Sequence, residues 1–336
     1  MKKLVTIFLA AAFLLVMYVP VSAAEWDFYG SARVATFWTD VDNDDPAVDD
    51  TMDLNHNLQG NARIGANVKN DAIGGRFEYG TGGGNANIRL LYGTVDLGPG
   101  QLLVGQAYAP FGIGSFISKQ VYATDNGLLE FVPYVGRRPM GQYSVGGFKV
   151  ALVRPVEIGD PEVLLPQVQA SYDLDMGGVS MNFAGVFQTY DLDNGDGDTL
   201  NAYAGGTNIR LTMMDPMYLN FGGFYGQNVA NFGQASWSDL GNEAGADITD
   251  PNNIEDADTY GAAVIFGGNL EPIGFELGAG YRNSDNGNEV ELYAYYGQVT
   301  VPLSQDGNAF IVPEVGYFDY ENEDEYYAGL KWQINF

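Results

Sequence analysis

The chain has 336 residues, of which 43 are acidic and 15 basic, for a net charge of −28, and it contains no cysteine. A charge of that sign and size excludes a nucleic-acid binder. The missing cysteines exclude a disulfide framework, a thiol site and a lipid-anchored N-terminus. Aromatics make up 13% of the chain and charged residues only 17%, with 45 glycines, so apolar surface is plentiful although no long apolar run follows residue 24.

Lys2 and Lys3 precede an apolar stretch from Leu4 to Val19, then Pro20 and Val21-Ser22-Ala23-Ala24. A basic start, a short apolar run and small residues at its end read as a secretion signal. Cleavage after Ala23 and after Ala24 both satisfy the small-residue rule. Residues 1–24 are therefore expected to be removed, leaving 25–336 as one domain.

From there the pattern has period two, which puts alternate residues on the two faces of a strand. Between Leu54 and Val68 the even positions are Leu, His, Leu, Gly, Ala, Ile, Ala and Val; the odd ones include Asn55, Asn57, Gln59, Asn61, Arg63 and Asn67. A face of amides and charges is no protein core. It suits a water-filled interior, with the other face against lipid or a neighbouring subunit. Sixteen strands are expected, at about 26–38, 53–69, 75–80, 86–97, 101–108, 138–145, 148–154, 166–174, 179–190, 200–212, 217–229, 259–269, 274–282, 289–301, 309–319 and 326–336. Short Gly-, Pro-, Asp- and Asn-bearing turns alternate with longer connections, and aromatics sit near both ends of several strands. The fold class read from this is all-β: a transmembrane antiparallel up-and-down barrel.

Candidate functional residues follow from parity. Arg33, Arg63, Arg76 and Arg89 fall on the inward face of four successive strands. The connection 109–137 is unusually apolar for one in water (Phe111, Ile113, Phe116, Ile117, Val121, Leu128, Leu129, Phe131), as a segment packed inside the barrel would be. It offers Asp125 and Glu130 as counter-charges and ends at Arg137 and Arg138. Tyr218, Tyr293 and Tyr295 are read as inward aromatics, and Arg210 and Arg282 as further inward cations. Outward positions near the start are small (Gly30, Ala32, Gly60, Ala62, Ala66), which would let another wall pack closely, or would let the barrel bend.

Much of the charge lies in long connections: seven aspartates in Asp40–Asp53, four in Asp191–Asp198 and seven acids in Asp239–Asp258. An acidic mouth concentrates cations, so mild cation selectivity is expected. Asp191–Asp198 lacks the glutamate that closes an EF-hand loop. No cofactor and no specific metal site are expected, only weak divalent ions bridging loop carboxylates to lipopolysaccharide phosphates. A single histidine, His56, on the outward parity argues against hydrolytic chemistry.

The final strand, with Leu330, Trp332, Ile334 and Phe336 on one parity, resembles the C-terminal assembly signal of Gram-negative outer-membrane barrels. Leu103-Val104-Gly105-Gln106-Ala107-Tyr108-Ala109-Pro110-Phe111 resembles the stretch where the fifth strand of many general bacterial porins enters an inward-folded third loop. The resemblance covers the layout of 25–336. It implies a homotrimer handled by the barrel assembly machinery, with the third loop narrowing a pore for passive diffusion of ions and small hydrophilic solutes. A substrate-specific uptake channel and a non-conducting surface barrel are the alternatives.

Overall fold

The computed structural model describes residues 24–336 except 45, 83–84, 113, 115–117, 126–127, 159–161, 193–198, 215, 236–242 and 249–253. The expected secretion signal therefore lies outside the described residues, apart from Ala24. So do Ile113, Phe116 and Ile117 of the apolar connection, and Asp45, Asp193, Asp196, Asp198, Asp239 and Asp250 of the acidic ones.

Sixteen antiparallel strands form one closed sheet. They are β1 (Glu25–Asn43), β2 (Thr51–Leu58 continued by Arg63–Asn70), β3 (Ile73–Gly80), β4 (Asn87–Asp96), β5 (Gln101–Tyr108), β6 (Arg137–Val145), β7 (Phe148–Val153) and β8 (Glu162–Val163 continued by Gln167–Asp175). The second half comprises β9 (Val179–Asp191), β10 (Thr199–Met214), β11 (Met217–Gln227), β12 (Asp258–Leu270), β13 (Ile273–Asp285), β14 (Glu289–Pro302), β15 (Ala309–Asp319) and β16 (Glu323–Asn335). Each strand pairs with its neighbours in sequence, and β1 closes the ring on β16, with Ser31 opposite Asn335 and Asn43 opposite Glu323. Gly30 and Phe336 extend this seam by exchanging two backbone hydrogen bonds, at 2.6 and 3.1 Å. Closure leaves no bare sheet edge in a solvent that cannot satisfy one.

All sixteen expected strands are present; the one expected at 53–69 is interrupted by a turn at 59–62, and the other differences lie at strand ends. The connections expected at 283–288 and 320–325 shrink to 286–288 and 320–322, because β13–β14 and β15–β16 continue as hairpins. At that end, residues 109–136 and 228–257 form the long connections; at the other, turns such as 71–72, 146–147 and 271–272 are tight.

The outer face is apolar. Ile64, Leu91, Val104, Leu152, Phe183, Val264, Leu277 and Val315 project from it, exposed in the single chain. Aromatics mark its two borders: Trp26, Phe28, Phe148, Tyr172, Trp332 and Phe336 at the short-turn end, Tyr79, Tyr203, Tyr225, Tyr260 and Tyr326 at the long-connection end. Two such girdles flanking an apolar band match a bilayer's two interfaces. No described helix is long and apolar enough to cross a membrane.

The inner face carries a cluster of arginines on β1–β4, and elsewhere it mixes apolar residues with buried polar ones such as Gln169, Asn208, Glu276 and Glu314. Val121, Leu128, Leu129, Phe131 and Val132 of the 109–136 connection form one cluster with Tyr218, Ala263, Ile265, Leu292, Ala294, Tyr296 and Tyr327 of the wall. Phe111 and Val135 join a second with Val186, Ala202, Ala204 and Phe224. This dry contact corrects the reading of Tyr293 and Tyr295 as inward. Leu292, Ala294 and Tyr296 are the buried set of β14, while Tyr295 is exposed and stacks on Tyr317. Apolar residues occupy both parities there because the inner wall packs against the connection and the outer wall against lipid. Tyr218 does face inward, buried on Glu276.

Candidate functional site: a basic chamber beside the long inner connection

Described residues of 109–136 hydrogen-bond side chains from widely separated strands. The Phe111 amide donates to Gln169 Oε1 of β8 (2.8 Å), that of Lys119 to Glu276 Oε1 of β13 (2.6 Å), and those of Val121 and Tyr122 to the Glu314 carboxylate of β15 (2.7 and 3.0 Å). A short helix, α1 (Tyr122–Asp125), follows. At its end Asp125 adopts φ +66°, a left-handed conformation unfavourable for a residue with a side chain. Its carboxylate is held by Arg33 of β1 (2.6 Å), Lys331 of β16 (3.0 Å), and Gln59 and Asn61 of the turn that interrupts β2 (3.1 Å each). Four donors over-determine this backbone position. Burial, then a hydrogen bond with Glu325, push the Tyr122 hydroxyl well above the ordinary tyrosine range, so it stays a neutral donor.

The four expected arginines lie together on β1–β4, with a partner that parity alone did not reveal. Glu78 of β3, almost fully buried, accepts from Arg89 Nε (2.6 Å), Arg76 (3.2 Å), Arg63 (3.5 Å) and the Tyr29 hydroxyl (2.8 Å). Arg89 reaches it because of a bulge. Glu78 opposes Leu90 and Tyr79 opposes Ile88, leaving Arg89 without a cross-strand partner. Such an extra residue re-aims its side chain, and Gln106 of β5 satisfies the carbonyls of Ile88 and Arg89 (2.7 and 3.2 Å). The Gln106 noted in the sequence thus braces the bulge that turns an arginine inward.

A cavity of about 500 Å³ opens toward the short-turn end, lined by Arg33, Arg63, Arg89, Arg137, Lys119 and Lys331 together with Asp125 and Asn61. Of the eight expected constriction residues, Arg33, Arg63, Arg89, Asp125 and Arg137 therefore meet there. Arg76 lines a neighbouring recess with Tyr29 and Glu78. Glu130 is buried against Arg282 at 3.7 Å, and Arg138 donates to the Val135 carbonyl, so neither lines this cavity. Lys331 and Lys119 were not anticipated. Lys331 shares its parity with Gln333, opposite the apolar set Leu330, Trp332 and Ile334, a signal that was legible; Lys119 sits on a connection that has no period.

The small outward residues are largely covered by the chain itself. A Cβ on Gly30 would meet the Phe336 ring at 2.5 Å. Ala66 is buried between Phe28 and Phe77, its partners in register, and Ala62 is buried too; only Ala32 is exposed and Gly60 half-buried. Leu330 is half-buried on the outer face, with Trp332, Ile334 and Phe336 exposed beside it. His56 opposes Thr36 there, 2.7 Å from its hydroxyl. Among the described residues no cluster of three or more metal-ligating side chains occurs.

No family model matches the chain, and no curated protein does. Solved structures do. The outer-membrane channel DcaP of Acinetobacter baumannii superposes with a TM-score of 0.75 at 16% identity, over 95% of this chain and 99% of that one. The anion-selective porin from Comamonas acidovorans gives 0.61 at 10%, over 93% and 100%. The trimer form of OmpT, an outer-membrane protein of Vibrio cholerae, gives 0.55 at 13%, over 94% and 100%. Identities this low establish architecture and nothing finer. The chain is a β-barrel with the fold of outer-membrane porins.

Proposed function

We propose that the barrel is a passive diffusion channel for ions and small hydrophilic solutes, with residues 109–136 as its constriction. One observation carries this reading: charged chambers lie on both sides of α1, one reaching toward the short turns and one toward the long connections. The pinned connection supports a fixed narrowing rather than a mobile plug.

Around the inner chamber six cations (Arg33, Arg63, Arg89, Lys119, Arg137, Lys331) face two carboxylates, Asp125 and Glu78, a surplus of four positive charges. Charge rings set ion preference, so the geometry supports anion preference at the narrow part. The second reading is mild cation preference, favoured by the acid-rich long connections. Reversal potential across a salt gradient in planar bilayers decides between them. Absence of any conductance from folded protein would refute the channel itself and leave a surface barrel. Saturable block by one solute would favour specific uptake.

The trimer form recorded for the Vibrio protein supports a homotrimer for this one, with β1–β2 as the proposed contact surface. A partner would meet Phe336 and Ala32 there rather than a bare glycine. Recognition of Leu330–Phe336 by the assembly machinery, and divalent ions joining the acidic connections to lipopolysaccharide, belong to the same proposal. Conductance steps in threes, and a band of three times the chain mass in unheated gels, are the expected results.

A further inference from the structure

The second chamber differs from the first in sign. Its volume is about 480 Å³ and it opens toward the long connections beside Thr39, Asp53 and Tyr320. Three acids line it, Asp53, Glu130 and Glu325, and no lysine or arginine does. Glu130 is paired with Arg282, which leaves Asp53 and Glu325 as its charge. On the other side of α1 six bases line the inner chamber against Asp125. Val121 and Tyr122 border the acidic chamber, and Gln120 and Asp125 the basic one, so the sign changes across a few residues of one connection.

From this juxtaposition we infer that the pore rectifies ionic current, conducting more when the short-turn side is held negative. The inference rests on the channel reading above. The acidic chamber enriches cations and the basic chamber anions. With the short-turn side negative, cations are driven in through the acidic mouth and anions through the basic one. Both kinds of carrier then accumulate where the chambers meet. With the voltage reversed, each ion must enter through the chamber that excludes it, and the junction is depleted. The effect requires charge to be felt across each chamber. The Debye length is about 10 Å at 0.1 M salt and about 3 Å at 1 M, so rectification belongs to low salt.

The test is the current–voltage curve of single channels in symmetric KCl. Orientation can be fixed with Asn322→Cys, since the chain has no other cysteine: the thiol is biotinylated and streptavidin added to one compartment perturbs current only from the long-connection side. The expected result is a current ratio of roughly two at opposite voltages in 0.1 M salt, falling toward one in 1 M salt as screening tightens. Asp53→Asn with Glu325→Gln, and separately Arg63→Gln with Lys119→Gln, should each lower the ratio. Asp53 and Lys119 are exposed, so the single variants Asp53→Asn and Lys119→Gln serve where a double variant fails to fold. Ohmic openings in 0.1 M salt, or a ratio indifferent to both pairs, would overturn the inference while leaving the channel intact. Folded protein with no openings overturns both.

Discussion

Glu78 shows how one side chain organises a wall. Three arginines converge on a carboxylate with almost no contact with water. Arg89 is nearly as buried as Glu78, whereas Arg63 remains partly exposed. Removing one partner of a buried pair costs about 3–5 kcal/mol, while an exposed pair is worth at most about 1 kcal/mol. Arg89→Ala should therefore lower the urea midpoint of barrel unfolding strongly, and Arg63→Ala should barely move it. Both should shift the reversal potential toward cations; unchanged selectivity in Arg63→Ala would remove it from the constriction. Asp125→Asn keeps a residue that tolerates positive φ but gives up the charge that draws in Arg33 and Lys331. Greater open-channel noise and a shift toward anions are expected, and a quiet channel of unaltered selectivity would show that Asp125 neither pins nor charges the pore. Arg76 and Glu78 share a parity and could have been paired from sequence. The convergence of Arg63 and Arg89 depends on register between strands and on a bulge, neither of which one strand encodes.

Among the elements, the inner connection is seated by absences as much as by contacts. A Cβ on Gly280 of β13 would fall 2.5 Å from the Phe131 ring, and one on Gly261 of β12 lies 2.9 Å from the Phe131 carbonyl oxygen. These glycines let the connection approach the wall closely. Gly280→Val should overpack the contact, at a cost of about 1–3 kcal/mol, and displace the connection while the strands stay paired. Protease cleavage within 109–136 of otherwise folded barrel would reveal it. Resistance equal to that of the unsubstituted protein would mean that the hydrogen bonds to Gln169, Glu276 and Glu314 hold the connection alone. The sequence revealed that this connection packs against something, through its apolar content. It did not reveal which wall, and so Tyr293 and Tyr295 were given the wrong face.

For the molecule as a whole, the membrane decides what the outer face tolerates. Leu277 projects from β13 within the apolar band, between Gly278 and Glu276, the latter buried on the inner face. Arginine at Leu277 should destabilise the barrel by about 2–4 kcal/mol in lipid if the position lies near the midplane, read as a lowered urea midpoint in vesicles. A negligible change would put Leu277 at an interface or on a wetted surface instead.

What the sequence determined by itself was the number of strands, their order and the two ends of the barrel. Period-two alternation and turn chemistry are local, and a closed meander needs only neighbours in sequence to become neighbours in space. The tertiary structure alone decided which charges meet. Glu78 gathers its arginines through the register of β2, β3 and β4, Asp125 reaches Arg33 and Lys331 across the seam of β1 and β16, and the sign change at α1 exists only once the connection lies inside. Those contacts join residues far apart in the chain, and pairwise electrostatics depends on distances that no one-dimensional pattern contains.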